Sequence, residues 1–242
     1  MQAAFHFTQP TDLRSIHDRL LIQFGRVPDG KRLNPISQFV CSLLGSLTYD
    51  EISWNAFLRL IEHYQSWDAV ADAPIADIKA VIWDVTFPEK KAPDLKHALR
   101  MIRAKYGYIS LDFLIGLEIE QALFQLEQIH GIGRKIAAAT LNFSSFRGRA
   151  FVVDTHALRV LQRFGFVRAN ATTENAYDAV MSAADEFDAD GLRELHWNLK
   201  SLGQQTCTHA RALCISCPLS DICMQRVEQG ATMVTQASAC AA

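Results

Sequence analysis

Two side chains near the middle of the chain have the right types for covalent chemistry on an electrophilic carbon: Lys135 and, nineteen residues on, Asp154. A neutral amine is a nucleophile toward a carbon that can become an imine. A carboxylate nearby can steady positive charge as it develops on that carbon. Lys135 closes the turn Ile129-His130-Gly131-Ile132-Gly133-Arg134-Lys135, which separates two helical patterns. Glycine at 131 and 133 allows backbone conformations that a Cβ would penalise. A Gly-rich turn that opens straight into a helix aims free N–H groups outward, a seat for a phosphate oxygen. Asp154 is the only acid between Gly131 and Asn170, among the basic residues at 134, 135, 147, 149, 159, 163 and 168. Both features also have plain structural readings. G-x-G-[RK] occurs in ordinary helix–helix turns, and Asp154, ahead of Thr155-His156-Ala157-Leu158, is a good helix N-cap. His156 can touch a phosphate or share in that cap.

A second constellation lies near the C-terminus. Cys207-x6-Cys214-x2-Cys217-x5-Cys223 places four thiols in a segment too short to fold without a ligand. Four thiolates suit zinc or an iron–sulfur cluster, and the spacing chemistry alone does not choose. Cys240 lies in the tail and Cys41 in an apolar helix; neither is counted as a ligand.

The whole-chain composition is neutral on function. Net charge is −2 with a pI of about 6.4, so any case for nucleic acid rests on the local basic stretch. With 242 residues and 49% hydrophobic content, the chain can bury one sizeable core or two small ones. No apolar run approaches the ~20 residues of a membrane span. MQAAFHFTQPTD lacks the basic start and long apolar stretch of a secretory signal. Six cysteines without an export signal suggest metal ligands in a reducing compartment rather than disulfides. The expected location is cytoplasmic, on the nucleoid if the source is bacterial.

The elements that must position these residues read as helices throughout. Thr11 can cap a helix with Leu13, Ile16, Leu20 and Phe24 on one face, stopped at Gly25. Asn34-Pro35 opens a helix that is apolar nearly all round at Phe39-Val40-Cys41-Ser42-Leu43-Leu44, hence central. Thr48 to Glu51 reads as a capping box for a helix with Phe57, Leu60, Ile61 and Tyr64 inward. A further helix follows Pro74, with Ile75, Ile78, Ile82 and Val85 at helical spacing. Thr86 to Ala92 reads as a turn, and Leu95, Leu99, Ile102 and Tyr106 mark the next helix. Another, around Glu118 to Ile129, enters the glycine turn. No segment alternates as a strand, so the fold class is all-α. Residues 1–10 and the tail from Gln229 (disorder expected over 229–242) carry no such pattern.

The GIGRK turn, the following Val153-Asp154-Thr155-His156 and the four-cysteine pattern, in that order, resemble endonuclease III-type DNA glycosylases of the helix-hairpin-helix superfamily. The resemblance covers roughly residues 30 to 225. It implies two helical lobes with a DNA-binding groove between them. One lobe is a six-helix unit of residues 37–148 carrying the helix-hairpin-helix; the other combines 1–36 with 149–242. It also chooses the cofactor, a [4Fe-4S] cluster on Cys207, Cys214, Cys217 and Cys223, bracing a loop that carries His209 and Arg211 toward DNA. Lys135 matches the family's nucleophile and Asp154 its assisting carboxylate. Gly131, Gly133, Arg134 and His156 would contact DNA. The implied reaction is excision of a modified base, expected to be an oxidised pyrimidine, through a lysine Schiff base and β-elimination, with Arg134 favouring the neutral amine. The implied partners are duplex DNA with a damaged base and abasic DNA. The protein would act as a monomer, away from membranes.

Two departures blur the substrate. Where relatives active on oxidised pyrimidines carry a glutamine that fills the gap left by the flipped base, this chain has Leu47. Where they carry a wedge leucine before a Lys-Ala pair, it has Phe87 before Lys91-Ala92. The glutamate of adenine-excising relatives is missing from residues 41–44. Tyr108 to Leu114 faintly resembles the matching stretch of plant 5-methylcytosine-excising enzymes. Three alternatives therefore stay open: a modified cytosine, a mismatched base, or a hairpin module that binds DNA without catalysis. His196 is expected to pack beside the cluster.

Overall fold

A computed structural model describes residues 13–225. The N-terminal segment with Thr11 and the tail with Cys240 lie outside the described residues. The described chain divides into two compact units, residues 30–150 and residues 13–29 with 151–225. Within it every regular element is a helix, with only an isolated bridge between Cys207 and Ala212. No helix among the described residues is long and apolar enough to cross a membrane.

The 30–150 unit holds α2 (Pro35–Leu44), α3 (Asp50–Tyr64), α4 (Trp67–Asp72), α5 (Ile75–Val81), α6 (Pro88–Tyr106), α7 (Ile119–Glu127) and α8 (Arg134–Phe143). Residues 30–34 are fastened to this unit locally. Arg32 donates to the Asn142 carbonyl at 2.7 Å, and the Ser145 amide to the Leu33 carbonyl at 2.9 Å. Asn34 caps α2 through the Ser37 amide, with Pro35 at the first helical position. α2 is central, with Phe39, Val40 and Leu44 fully buried. It packs against α8, whose Ala137, Ala138 and Ala139 are buried and small enough for a close approach. Each fully buried Leu or Phe here is worth about 1.5–3 kcal/mol of transfer free energy.

Several expected features shift. α3 begins at Asp50 with no side-chain cap, because the Thr48 hydroxyl is engaged elsewhere. Ile61 and Ile75 face solvent rather than the core. The stretch read as a turn over 86–92 is a turn only to Phe87. Pro88 suits the first position of α6, and Pro93 is carried inside that helix. The short α4 escaped the periodicity altogether.

In the second unit lie α1 (Leu13–Phe24), α9 (Thr155–Phe164), α10 (Thr173–Ala183) and α11 (Ala189–Gln205). α1 and α9 both pack on α11, and α10 on α9. Gly25 ends α1 with φ +79°, as its place after Phe24 predicts. His17 on α1 meets Glu194 on α11 at 3.1 Å.

Candidate DNA-processing site

In the 30–150 unit the hairpin between α7 and α8 is anchored by Ile129 and Ile132, both buried, while His130, Gly131 and Gly133 are exposed. The two glycines do different work. Gly131 has φ +80°, and a Cβ there would stand 3.3 Å from Asp94 Oδ2. Gly133 has φ −103°, which any residue adopts, and a Cβ would meet nothing. Its bareness leaves the N-terminus of α8 uncovered, where the first amides have no helical acceptor.

Lys135 sits in the first turn of α8, half-buried. Its charge is felt by Cys41 and by Lys91. Burial pushes the Cys41 thiol up to about 11, against the pull of Lys135. The Arg134 guanidinium pairs with Glu127 across the hairpin. Lys91 on α6 also lies within reach of the Lys135 charge. Burial, then the Lys135 charge, brings the Lys91 pKa down to about 8.

Leu47 and Phe87 share an unusual backbone. Both are in the left-handed region, with φ 55° and 59°, and both side chains are more than half exposed. Large apolar residues seldom adopt this conformation, and each instance costs on the order of 1–3 kcal/mol. Phe87 is therefore an exposed side chain at the head of α6, not a core residue.

In the second unit, the buried run Phe151-Val152-Val153 delivers Asp154 to the start of α9. Asp154 Oδ1 accepts from the His156 and Ala157 amides at 2.9 and 2.7 Å, so the carboxylate is the N-cap the sequence suggested. Burial opposes its charge. His196, the Ala157 amide, Lys200 and His156 outweigh that and hold its pKa below the ordinary carboxylate value. His196 and Lys200 lie four residues apart on one face of α11. His196 is buried, its Nδ1 2.7 Å from the Val152 carbonyl oxygen. It is thus a neighbour of Asp154, a role the sequence reading did not assign. Lys200 lies over the Trp197 ring at 4.5 Å. The i,i+4 spacing was readable; what it faced was not. His156 packs against Gly203, and its Nδ1 is 3.2 Å from the Arg159 guanidinium.

The four cysteines line one cavity, together with Arg163, Leu202 and Leu219. Burial raises the Cys217 pKa, and the charges of Cys207, Cys223 and Cys214 add to the rise, so the thiols are mutual neighbours. Among the described residues no three His, Cys, Asp or Glu side chains converge on a point that would hold a single ion. Four thiols bounding one cavity are a donor set that fits an iron–sulfur cluster. Two arginines of α9 pin the loop. Arg159 donates to the Cys207 and Gly203 carbonyls at 3.0 and 2.6 Å, and Arg163 to the Thr208 and His209 carbonyls at 2.6 and 3.1 Å. Two of the seven basic residues in the local patch are thus occupied with the loop. His209 and Arg211 are exposed at its tip.

The family model described as HhH-GPD superfamily base excision DNA repair protein matches residues 40–185, which takes in the hairpin, Lys135 and Asp154. The chain belongs to the HhH-GPD superfamily. Within it the likeness is to the endonuclease III type. Endonuclease III-like protein 1 of Gallus gallus is 27% identical over 181 residues, 75% of this chain and 60% of the relative. Endonuclease III of Sulfolobus acidocaldarius is 27% identical over 196 residues, 80% of this chain and 83% of the relative. Among solved structures, a trapped endonuclease III–DNA covalent intermediate aligns with TM-score 0.75 at 21% identity, covering 92% of this chain and 99% of that one. The fold of this HhH-GPD protein is therefore the endonuclease III fold. The cysteine loop lies beyond the residues that the family model matches.

Proposed function

We propose that this base excision repair protein is a bifunctional DNA glycosylase and AP lyase. The observation that carries the reading is an amine, Lys135, on the first turn of the hairpin helix in an HhH-GPD chain. Phosphate binding by the hairpin asks only for backbone N–H groups, so it does not require a lysine there. The target nucleotide must leave the base stack before a protein group can reach C1′. Lys135 Nζ then attacks C1′ as the bond to the base breaks. The departing base keeps the electron pair and takes one amine proton. The second passes to the ring oxygen as the sugar opens to an imine. Loss of a C2′ proton then expels the 3′ phosphate. Asp154, held ionised by its surroundings, supports the positive charge that grows on the sugar.

Cys207, Cys214, Cys217 and Cys223 would hold a [4Fe-4S] cluster, which when bound braces the loop bearing His209 and Arg211. Gly131, Gly133, Arg134 and His156 would contact the DNA backbone, and Leu47 and Phe87 the base stack. Leu47 carries no hydrogen-bonding group, which favours a loose reading of the opposite base. The substrate class we favour is an oxidised pyrimidine, to be read from a panel of single-lesion duplexes that includes 5-methylcytosine and mismatched thymine.

The test is borohydride trapping on abasic duplex. Borohydride reduces an imine irreversibly, so the wild-type chain should become cross-linked and Lys135→Ala should not. Tight binding of abasic duplex with no adduct would end the lyase reading.

A further inference from the structure

The Leu47 and Phe87 loops of the 30–150 unit share one fastening. Lys91, in the first turns of α6, is only 6% exposed. Its ammonium donates to the Leu44 carbonyl at 2.6 Å, the Ser46 carbonyl at 2.6 Å and the Thr48 hydroxyl at 2.7 Å. Those are three acceptors for three N–H donors, so the head group is fully used. The acceptors bracket Leu47 on both sides. The Thr48 hydroxyl also accepts the Thr86 amide at 3.1 Å and donates to the Ser46 carbonyl at 3.3 Å. The Lys90 and Lys91 amides close on the Phe87 carbonyl at 3.1 and 3.0 Å. The backbone on either side of Leu47 is thereby tied to the Lys91 ammonium, and the Thr48 hydroxyl joins it to the Thr86 amide just ahead of Phe87.

We infer that Lys91, with Thr48, is a positioning residue that locks the Leu47 and Phe87 loops into one rigid double wedge, so that the two side chains enter the base stack together. The inference rests on the proposed DNA-processing function. Its physical ground is that an exposed side chain on a strained, unsupported loop swings away from an incoming base pair, whereas one held from both flanks does not. A lone wedge could manage with a local turn. A shared ammonium makes sense where two insertions must keep a fixed separation.

The test uses the full chain and a duplex with a tetrahydrofuran abasic analogue, which cannot form an imine, opposite 2-aminopurine. Unstacking brightens the probe, so the reading does not depend on chemistry. The wild-type chain should brighten it. Lys91→Met and Thr48→Val should lose the brightening at saturating protein, down to the level of the Leu47→Ala/Phe87→Ala pair, while Thr48→Ser retains it. Added to that double variant, Lys91→Met should cause no further loss. Wild-type brightness in Lys91→Met and Thr48→Val would overturn the inference, as would an equal additional loss in the double-variant background. If Lys91→Met fails to fold, Thr48→Val against Thr48→Ser decides. A wild-type chain that binds without brightening the probe would sink the wedge reading and this inference with it; the borohydride adduct judges the lyase reading separately.

Discussion

The two units solve the problem of holding functional groups in opposite ways. In residues 30–150 the loop positions are exposed: Leu47 and Phe87 in strained left-handed backbone, Gly131 at the φ +80° that glycine tolerates, Gly133 bare. They stand on a dry helical core around α2. In the other unit the groups are saturated. Asp154 takes two amides, His196 sits on the Val152 carbonyl, and Arg159 and Arg163 spend their donors on the cysteine loop. The difference teaches where each can tolerate change. A strained, exposed position is sensitive to backbone alteration, whereas a saturated one is sensitive to loss of charge or of a donor.

The strongest way to break that contrast is Asp154→Asn. Asparagine is as good an N-cap as aspartate, so α9 should start unchanged, and melting at pH 7 should fall only by the charge contribution that the ionised Asp154 draws from its surroundings. Base removal should slow about a hundred-fold, because an amide cannot balance the cationic sugar. Strand cleavage at a preformed abasic site should slow far less. The pH dependence sharpens it. Since the folded pKa is lowered, the stability Asp154 contributes is present above the ordinary carboxylate value and is lost as pH falls through the lower folded one. The variant should lack that acid-side loss. An equal slowing of both reactions, or an unchanged acid profile, would mean that Asp154 is only a cap.

Next in size is Arg163→Ala. Removing donors from the carbonyls of Thr208 and His209 should destabilise the cysteine loop by about 2–3 kcal/mol, since bonds from a charged donor are the stronger kind. Iron per chain and the melting temperature should both fall. Full iron content and an unshifted melt would show that the loop needs no pinning, and zinc in place of iron would refute the cluster.

The smallest expected effect separates the two glycines. Gly131→Ala must hold an alanine at φ +80° beside Asp94 and should cost about 1–2 kcal/mol. Gly133→Ala should leave stability alone and weaken DNA binding instead. Equal melts for the two would remove the distinction between strain and access.

Much was determined by local sequence alone. The helical periods, the Asn34-Pro35 start, the stop at Gly25, the Gly-x-Gly turn into α8 and the cap at Asp154 depend on residues within a turn or two of one another. Such features survive without knowing the fold. The order of the hairpin, the Asp154 segment and the cysteines was legible for the same reason, as a linear pattern.

What only the tertiary structure decided are pairings across long sequence separations. Thr48 reads as a cap until Lys91, 43 residues away, claims its hydroxyl. Arg134 reads as a free cation until Glu127 meets it across the hairpin. His196 reads as packing until the fold sets it on Val152 and within the field of Asp154. Arg159 and Arg163 read as a basic patch until the cysteine loop folds back onto α9. A polar side chain has a short-range rule for where it can bond, and several candidates satisfy it in sequence. The partner that wins is the one that packing brings within 3 Å and shields from water, and that choice is made by the fold.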